Sequence, residues 1–137
     1  MSSFILDPRL RADGPPLLDL PLCHVRLVDD ARFVWLVLVP ARDQLVEILD
    51  LSPAERTLLM AEIAAAGAAV REVSKCAKLN VAALGNVVSQ LHVHVVGRDP
   101  GDAAWPAPVF GFGVREPMDE ATLADRFSKL RGALLRA

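Results

Sequence analysis

An α+β domain is the fold class this sequence predicts, and three stretches carry the prediction. Ser89-Gln90-Leu91-His92-Val93-His94-Val95-Val96 alternates polar and aliphatic residues, the period-two pattern of a half-buried strand. Phe33-Val34-Trp35-Leu36-Val37-Leu38-Val39 is apolar throughout and stops at Pro40, as suits an interior strand covered on both faces. Between them, Leu51-Ser52-Pro53-Ala54-Glu55 opens a long helix whose apolar residues recur at spacings of three and four. Strands therefore stand on both sides of a helix, and a second helical pattern closes the chain.

The 137 residues read as one domain, residues 1–137, long enough to bury an ordinary core without metal or disulfide staples. A hydrophobic fraction of 53% excludes a disordered chain. No apolar run approaches the roughly 18 residues of a membrane span, and Met1-Ser2-Ser3-Phe4 lacks the basic start of a signal peptide. The expectation is a soluble, cytoplasmic protein with no membrane partner. Fifteen Lys and Arg against seventeen Asp and Glu give a net charge of −2, so no global basic field holds a polynucleotide and any anion must be bound locally. Cys23 and Cys76 have no C-x-x-C spacing and sit in apolar surroundings; they read as two reduced, buried thiols.

Residues 1–21 are broken by Asp7-Pro8 and Gly14-Pro15-Pro16 and read as an ordered arm or a short strand, with Phe4-Ile5-Leu6 and Leu17-Leu18 available to pack on a core. Cys23-His24-Val25-Arg26-Leu27-Val28 alternates again, and Asp29-Asp30-Ala31-Arg32 suits the turn into the apolar strand. In the helix, Ser52 caps the first free amides, Pro53 takes the first helical position and Glu55 completes a capping box. Leu59, Ile63, Ala66, Val70 and Val73 form the buried stripe, with Glu62, Arg71, Glu72 and Lys75 around the other side. Residues 78–84 are short and moderately apolar. Gly85-Asn86 then suits a two-residue hairpin into the alternating strand; the alternative is a wider loop over residues 81–86 whose backbone amides face a ligand. Gly97-Arg98-Asp99-Pro100-Gly101-Asp102 ends that strand, and Trp105-Pro106-Ala107-Pro108 is too proline-rich for regular structure. Residues 107–137 form a C-terminal extension in which Asp119 or Glu120 opens a helix carrying Leu123, Phe127, Leu130 and Leu134.

The alternating strand is where chemistry is expected. It sets Gln90, His92 and His94 on one face and Leu91, Val93 and Val95 on the other, neighbours on a face lying about 6.5–7 Å apart. Two of the three histidines of the chain stand there. Such a pair can ligate a metal, act on a phosphate or carbonyl as nucleophile and acid, or stand solvated on an open face. A metal site usually needs about three protein ligands or more, and His24 is the one other histidine, so no metal site is assigned.

Asn80, Gly85, Val88, then Gln90-Leu91-His92-Val93-His94-Val95-Val96 and Arg98 resemble the signature of the histidine triad (HIT) family of nucleotide hydrolases and nucleotidyl transferases. That signature has an Asn, a Gly-rich turn and three histidines alternating with hydrophobic residues. The strand over residues 35–39 ending at Pro40-Ala41-Arg42, the Asp50-Leu51-Ser52-Pro53 helix entry and the following hairpin keep the family's order, so the resemblance covers about residues 22–106. It implies a HIT-like antiparallel sheet of about five strands, with the long helix and the C-terminal helix packed on it, usually paired into a homodimer. It also implies attack by the middle histidine, His92 by position, on the α-phosphate of a nucleotide, giving a nucleotidyl-histidine that water or another acceptor resolves. An imidazole suits the role, because a reference pKa of about 6.5 leaves it mostly neutral near pH 7 with one free lone pair. No cofactor is required; a divalent cation would enter only with a polyphosphate substrate.

The resemblance carries over residue by residue. His94 matches the third histidine, a phosphate or leaving-group contact that in its protonated form would stabilise charge on the transferring oxygens. Gln90 occupies the first histidine's position, making a Gln-His-His version of the triad; its backbone carbonyl can still orient the nucleophile's far ring nitrogen, whereas its side chain cannot carry a proton at neutral pH. Gln90 and Asn80 would position the phosphate. Val87 stands where many members have Ser or Thr, Asn86 where a Gln is common, and Trp35 where many have His. A ribose contact for Asp29, a substrate contact for Asn86, a phosphate contact for Arg98 and a closing role for Trp105 from either subunit complete the substrate-binding set that the resemblance implies. Each has a plainer reading beside it: Asn80 and Asp29 as turn residues, Arg98 as a solvated arginine, Trp105 as a core or interface residue. Two functions follow, a nucleotide hydrolase or transferase working at the α-phosphate, or a nucleotide-binding or sensing protein without catalysis, toward which Gln90 and Val87 point.

Overall fold

Residues 4–137 are described in a computed structural model; residues 1–3, part of the stretch read for a signal peptide, lie outside the described residues. The apolar run folds as the middle strand of the sheet. β3 (Trp35–Pro40) pairs with β2 (Cys23–Leu27) on one side and β5 (Val93–Arg98) on the other. β1 (Pro16–Asp19), part of the arm, extends the sheet beyond β2, and β4 (Lys78–Ala82) extends it beyond β5. The order is β1-β2-β3-β5-β4, antiparallel throughout, which is the five-stranded α+β architecture expected. A strand with neighbours on both edges and cover on both faces keeps no position for a solvated side chain, which is why β3 is uniformly apolar.

Register assigns the faces. Leu36 lies opposite Val95 and Leu38 opposite Val93, while Trp35 lies opposite Val96 and Val37 opposite His94; directly opposed residues share a face. The first set is covered by α2 (Pro53–Ser74) and α3 (Glu120–Arg136), and forms the main core with Ala66, Val70 and Leu130. The helix entry is as predicted: Glu55 N–H donates to Ser52 Oγ at 3.2 Å and Ser52 N–H to Glu55 Oε1 at 3.0 Å. At its other end α2 lies so close to β5 that a Cβ added at Gly97 would stand 2.9 Å from Ser74 Oγ and 3.1 Å from Val70 Cγ1. Asp119 caps α3, with Leu130 and Leu134 buried and Leu123 and Phe127 partly so.

Glu62 departs from the expected pattern. It is buried, not solvated, and its carboxylate accepts from the backbone N–H groups of Leu22 at 2.9 Å and Cys23 at 2.8 Å. The entry to β2 leaves those two amides needing acceptors, and a helix carboxylate supplies both. Burial, reinforced by this carboxylate, pushes the Cys23 thiol far up; Cys23 and Cys76 are free and buried, as expected.

The second face is covered by irregular chain. The arm contains one helical turn, α1 (Pro8–Arg11), and places Leu6 and Leu10 against Val28, Val37, Val39 and Val88. Arg26 fastens it, donating from Nε and Nη2 to Gly14 O at 3.1 and 2.7 Å and from Nη2 to Arg11 O at 3.2 Å. Farther along, Ala104 and Val109 pack on Phe33 and Val96. The predicted strand over residues 89–96 begins only at Val93, and the two-residue hairpin at Gly85-Asn86 is replaced by a wide loop over residues 83–92. Leu91 N–H donates to Leu45 O at 2.9 Å, which draws the segment before Val93 away from β4 and toward the chain preceding α2. No helix among the described residues is long and apolar enough to cross a membrane.

Candidate active site

The wide loop delivers His92 and β5 delivers His94, and the two rings meet edge to face with centroids 4.9 Å apart. Each ring is fixed by one hydrogen bond that also decides where its proton sits. His92 Nδ1 lies 2.6 Å from Gln90 O; a carbonyl can only accept, so Nδ1 carries the hydrogen and Nε2 carries the lone pair. Trp35 Nε1–H donates to His94 Nδ1 at 3.0 Å; an indole can only donate, so His94 is neutral with its hydrogen on Nε2. Burial, with the neighbouring His92 as a lesser cause, pushes the His94 pKa down to about 4. At rest the geometry thus gives a neutral ring that donates from Nε2, not the protonated form that would add charge stabilisation.

Phe110 packs on His94 at 4.7 Å between centroids and meets Trp35 at 5.9 Å. These groups border a pocket of about 650 Å³, a volume within the roughly 300–1,000 Å³ of small-molecule sites. Gly85, Asn86, Val87 and Val88 of the wide loop form one wall, Phe110 and Gly111 another, and Arg9, Leu10 and Asp13 of the arm a third. Burial pushes the Asp13 carboxyl up.

Of the residues expected at the site, His92, His94 and Asn86 line this pocket. Gln90 meets the histidines only through its backbone carbonyl. Its side chain turns to the arm, donating from Nε2 to Ile5 O at 2.8 Å and accepting at Oε1 from Asp7 N–H at 2.8 Å. Arg98, Asn80 and Trp105 are gathered at the far end of β5, outside the pocket. Arg98 is 1% exposed, not solvated: it donates to Asp102 from Nε at 2.7 Å and Nη2 at 3.0 Å, to Asn80 Oδ1 at 2.8 Å and to Ala107 O at 2.8 Å. The Phe33 and Trp105 rings lie 5.6 and 5.7 Å from its guanidinium carbon. This guanidinium holds the Asp102 carboxyl far below the usual carboxylate range. Asn80 sits within β4, where its acceptor oxygen is taken by Arg98, and not at a turn. Asp29 Oδ1 accepts from Met118 N–H at 2.8 Å, which ties down the chain ahead of α3.

Arg9, Asp13 and Phe110 line the pocket and were not singled out in the sequence. Asp7-Pro8 did carry a usable local sign: Asp7 caps the turn by accepting from Arg9 N–H at 2.8 Å, and Pro8 takes the first helical position. Nothing local shows that this turn packs beside a histidine more than eighty residues along. No group of three or more His, Cys, Asp or Glu among the described residues is arranged to hold a metal ion.

Residues 12–101 match the family model of the HIT domain. A histidine triad protein from Bradyrhizobium japonicum is 44% identical, with a TM-score of 0.93 over 96% of this chain and 98% of that one. One from Sinorhizobium meliloti is 40% identical, with a TM-score of 0.93 over 96% and 97%, and one from Marinobacter aquaeolei is 38% identical, with a TM-score of 0.93 over 97% of each. No curated protein matches the chain. With a family model spanning most of its length and solved histidine triad proteins superposing on nearly all of it, the chain belongs to the histidine triad family.

Proposed function

We propose that the chain is a nucleotide hydrolase or nucleotidyl transferase working at the α-phosphate of a nucleoside phosphate ester, anhydride or phosphoramidate, with His92 as nucleophile. Membership of the family supports a nucleotide-binding, hydrolase or transferase role in general. The observation that carries the finer reading is the 2.6 Å bond from His92 Nδ1–H to Gln90 O, which leaves the Nε2 lone pair unengaged beside a pocket of nucleotide size. In the first step Nε2 bonds to phosphorus as the bond to the leaving group breaks, and that group departs with the bonding pair and takes a proton from water. The ring then carries positive charge, and its Nδ1–H bond to the carbonyl strengthens. His94 donates from Nε2–H to a phosphoryl oxygen. In the second step water or another acceptor attacks the same phosphorus, releases its proton to solvent and returns the electron pair to Nε2. Gln90 thus stands in a Gln-His-His triad as a backbone acceptor. No cofactor is needed, and a divalent cation enters only with a polyphosphate.

A specific observation favours the second reading, a nucleotide-binding or sensing protein without turnover. His94 is neutral and the Gln90 side chain is engaged by the arm, so no imidazolium stands beside the leaving group. We further propose that the protein acts in the cytoplasm, where thiols stay reduced, and as a homodimer. β4 has one unpaired edge and Val81 on it is half exposed, an edge that pairing would cover; sedimentation as a monomer at working concentration would remove the dimer.

Turnover of adenosine and guanosine phosphoramidates and dinucleoside polyphosphates is the test, run side by side for the unaltered protein and His92→Ala. The proposal expects turnover that falls by about 10³-fold or more in the variant, as for loss of an activated nucleophile, while the variant still unfolds in one cooperative transition. Equal turnover by both proteins would sink the mechanism. Binding of nucleoside monophosphates with no turnover by either would establish the second reading.

A further inference from the structure

The phosphate of a nucleotide is an anion, and the floor of the histidine pocket offers it little positive charge. His94 is neutral, and His92 presents a lone pair when it acts. Among the described residues that line the pocket, Arg9 is the one Lys or Arg. Its side chain is 60% exposed and lies flat against Asp7, with Nε 3.1 Å from Oδ1 and Nη2 3.0 Å from Oδ2. It also crosses to the opposite wall, where Nη1 donates to Val87 O at 3.0 Å. A guanidinium has five N–H groups; these contacts occupy three, and the others remain for an anion.

The arm that carries Arg9 is not loosely placed. The Gln90 side chain holds its backbone at two points, Ile5 O and Asp7 N–H, both at 2.8 Å, and the cap from Asp7 to Arg9 N–H fixes the turn between them and the guanidinium. Gln90 therefore reaches both partners at once: its carbonyl orients His92 and its side chain orients the segment bearing Arg9. An amide suits that double duty, since it donates and accepts without titrating.

Resting on the nucleotide reading above, we propose that Arg9 is the phosphate-binding cation of this site and that Gln90 is the positioning residue that holds it over the pocket. The position that the family fills with an imidazole is used here to clasp the arm. Positive charge for the phosphate then comes from a guanidinium supplied by the N-terminal arm, beside the neutral donor His94. Because Asp7 offsets part of the charge and Arg9 is exposed, its removal should weaken phosphate binding by about tenfold, not by the hundredfold of a buried pair.

Calorimetric titration with AMP and GMP, and with adenosine and guanosine as phosphate-free controls, tests this on the unaltered protein, Arg9→Ala, Arg9→Lys, Gln90→Ala and the Arg9→Ala/Gln90→Ala double variant. The expected result is monophosphate affinity about tenfold weaker in Arg9→Ala and weakened in Gln90→Ala, nucleoside affinity unchanged, and partial recovery in Arg9→Lys. The double variant should lose no more than Arg9→Ala, because one residue acts through the other. Unchanged monophosphate affinity in Arg9→Ala would overturn the inference and leave the nucleotide reading standing. Equal loss for monophosphate and nucleoside would also overturn it, by reducing the arm to a structural cover. An unaltered protein that binds none of the four would overturn the nucleotide reading itself, and the inference with it.

Discussion

The two faces of the sheet use the same strands for opposite purposes. On the helix face, Leu36, Leu38, Val93 and Val95 meet α2 and α3 in an apolar core. On the other, Arg26, His92, His94 and Arg98 are buried beneath an arm and loops. β5 supplies both, since successive residues point to opposite faces. The contrast teaches how polar groups survive burial. An apolar core needs only shape, whereas each buried polar group needs a named partner. His94 has Trp35, Arg98 has Asp102 and Asn80, and Arg26 has Gly14; no buried side-chain nitrogen or oxygen among the described residues lacks one.

Variants on the two faces sharpen this contrast. The largest effect on stability is expected for Arg98→Ala, which strands Asp102 and Asn80 and should cost about 3–5 kcal/mol in chemical denaturation, the usual penalty for breaking a buried pair. The folded fraction should keep its turnover, because Arg98 lies outside the pocket; a stable variant with lost turnover would move Arg98 into the site. Next comes the acid sensitivity that His94 imposes. Its folded pKa of about 4 lies below the roughly 6.5 of an unfolded histidine, so the unfolded chain binds more protons between those values. Stability from this group is complete above about pH 6.5 and is lost as pH falls toward 4, by up to about 3 kcal/mol. Denaturation curves across that range should flatten in His94→Gln. A slope unchanged by that substitution would place the acid sensitivity elsewhere. Smallest is Gly97→Ala on the helix face: the new Cβ crowds Ser74 Oγ and Val70 Cγ1 and should cost about 1–3 kcal/mol, as overpacking does, with no change in the KM of the folded protein.

The helix face was legible in the sequence because its signals are local. Ser52, Pro53 and Glu55 announce the start of α2 within four residues, and the unbroken apolar run of β3 announces an interior strand. Glu62 escapes the sequence pattern because a helical stripe cannot show that two amides of another segment need its carboxylate. The histidine face was legible where the period-two pattern runs, at His94, and faded at residues 89–92. There the segment answers to Leu45 and to the arm instead of to a neighbouring strand. Asn80 and Arg98 stand out as motif residues, but their pairing joins two strands with Asp102 and Ala107, and no spacing along one strand encodes it. Arg9 stayed hidden for the same reason: its place depends on Gln90 and Val87, far along the chain.

The bond proposed between His92 Nε2 and phosphorus can be trapped. The protein would be mixed with an adenosine or guanosine phosphoramidate, quenched in alkali within the first turnover, digested and read by mass spectrometry. A nucleotidyl group is expected on the peptide containing His92, absent in His92→Ala and present in Gln90→Ala, whose backbone carbonyl still orients the ring. Rapid turnover by the unaltered protein with no nucleotidyl peptide, or with the group on another residue, would contradict it.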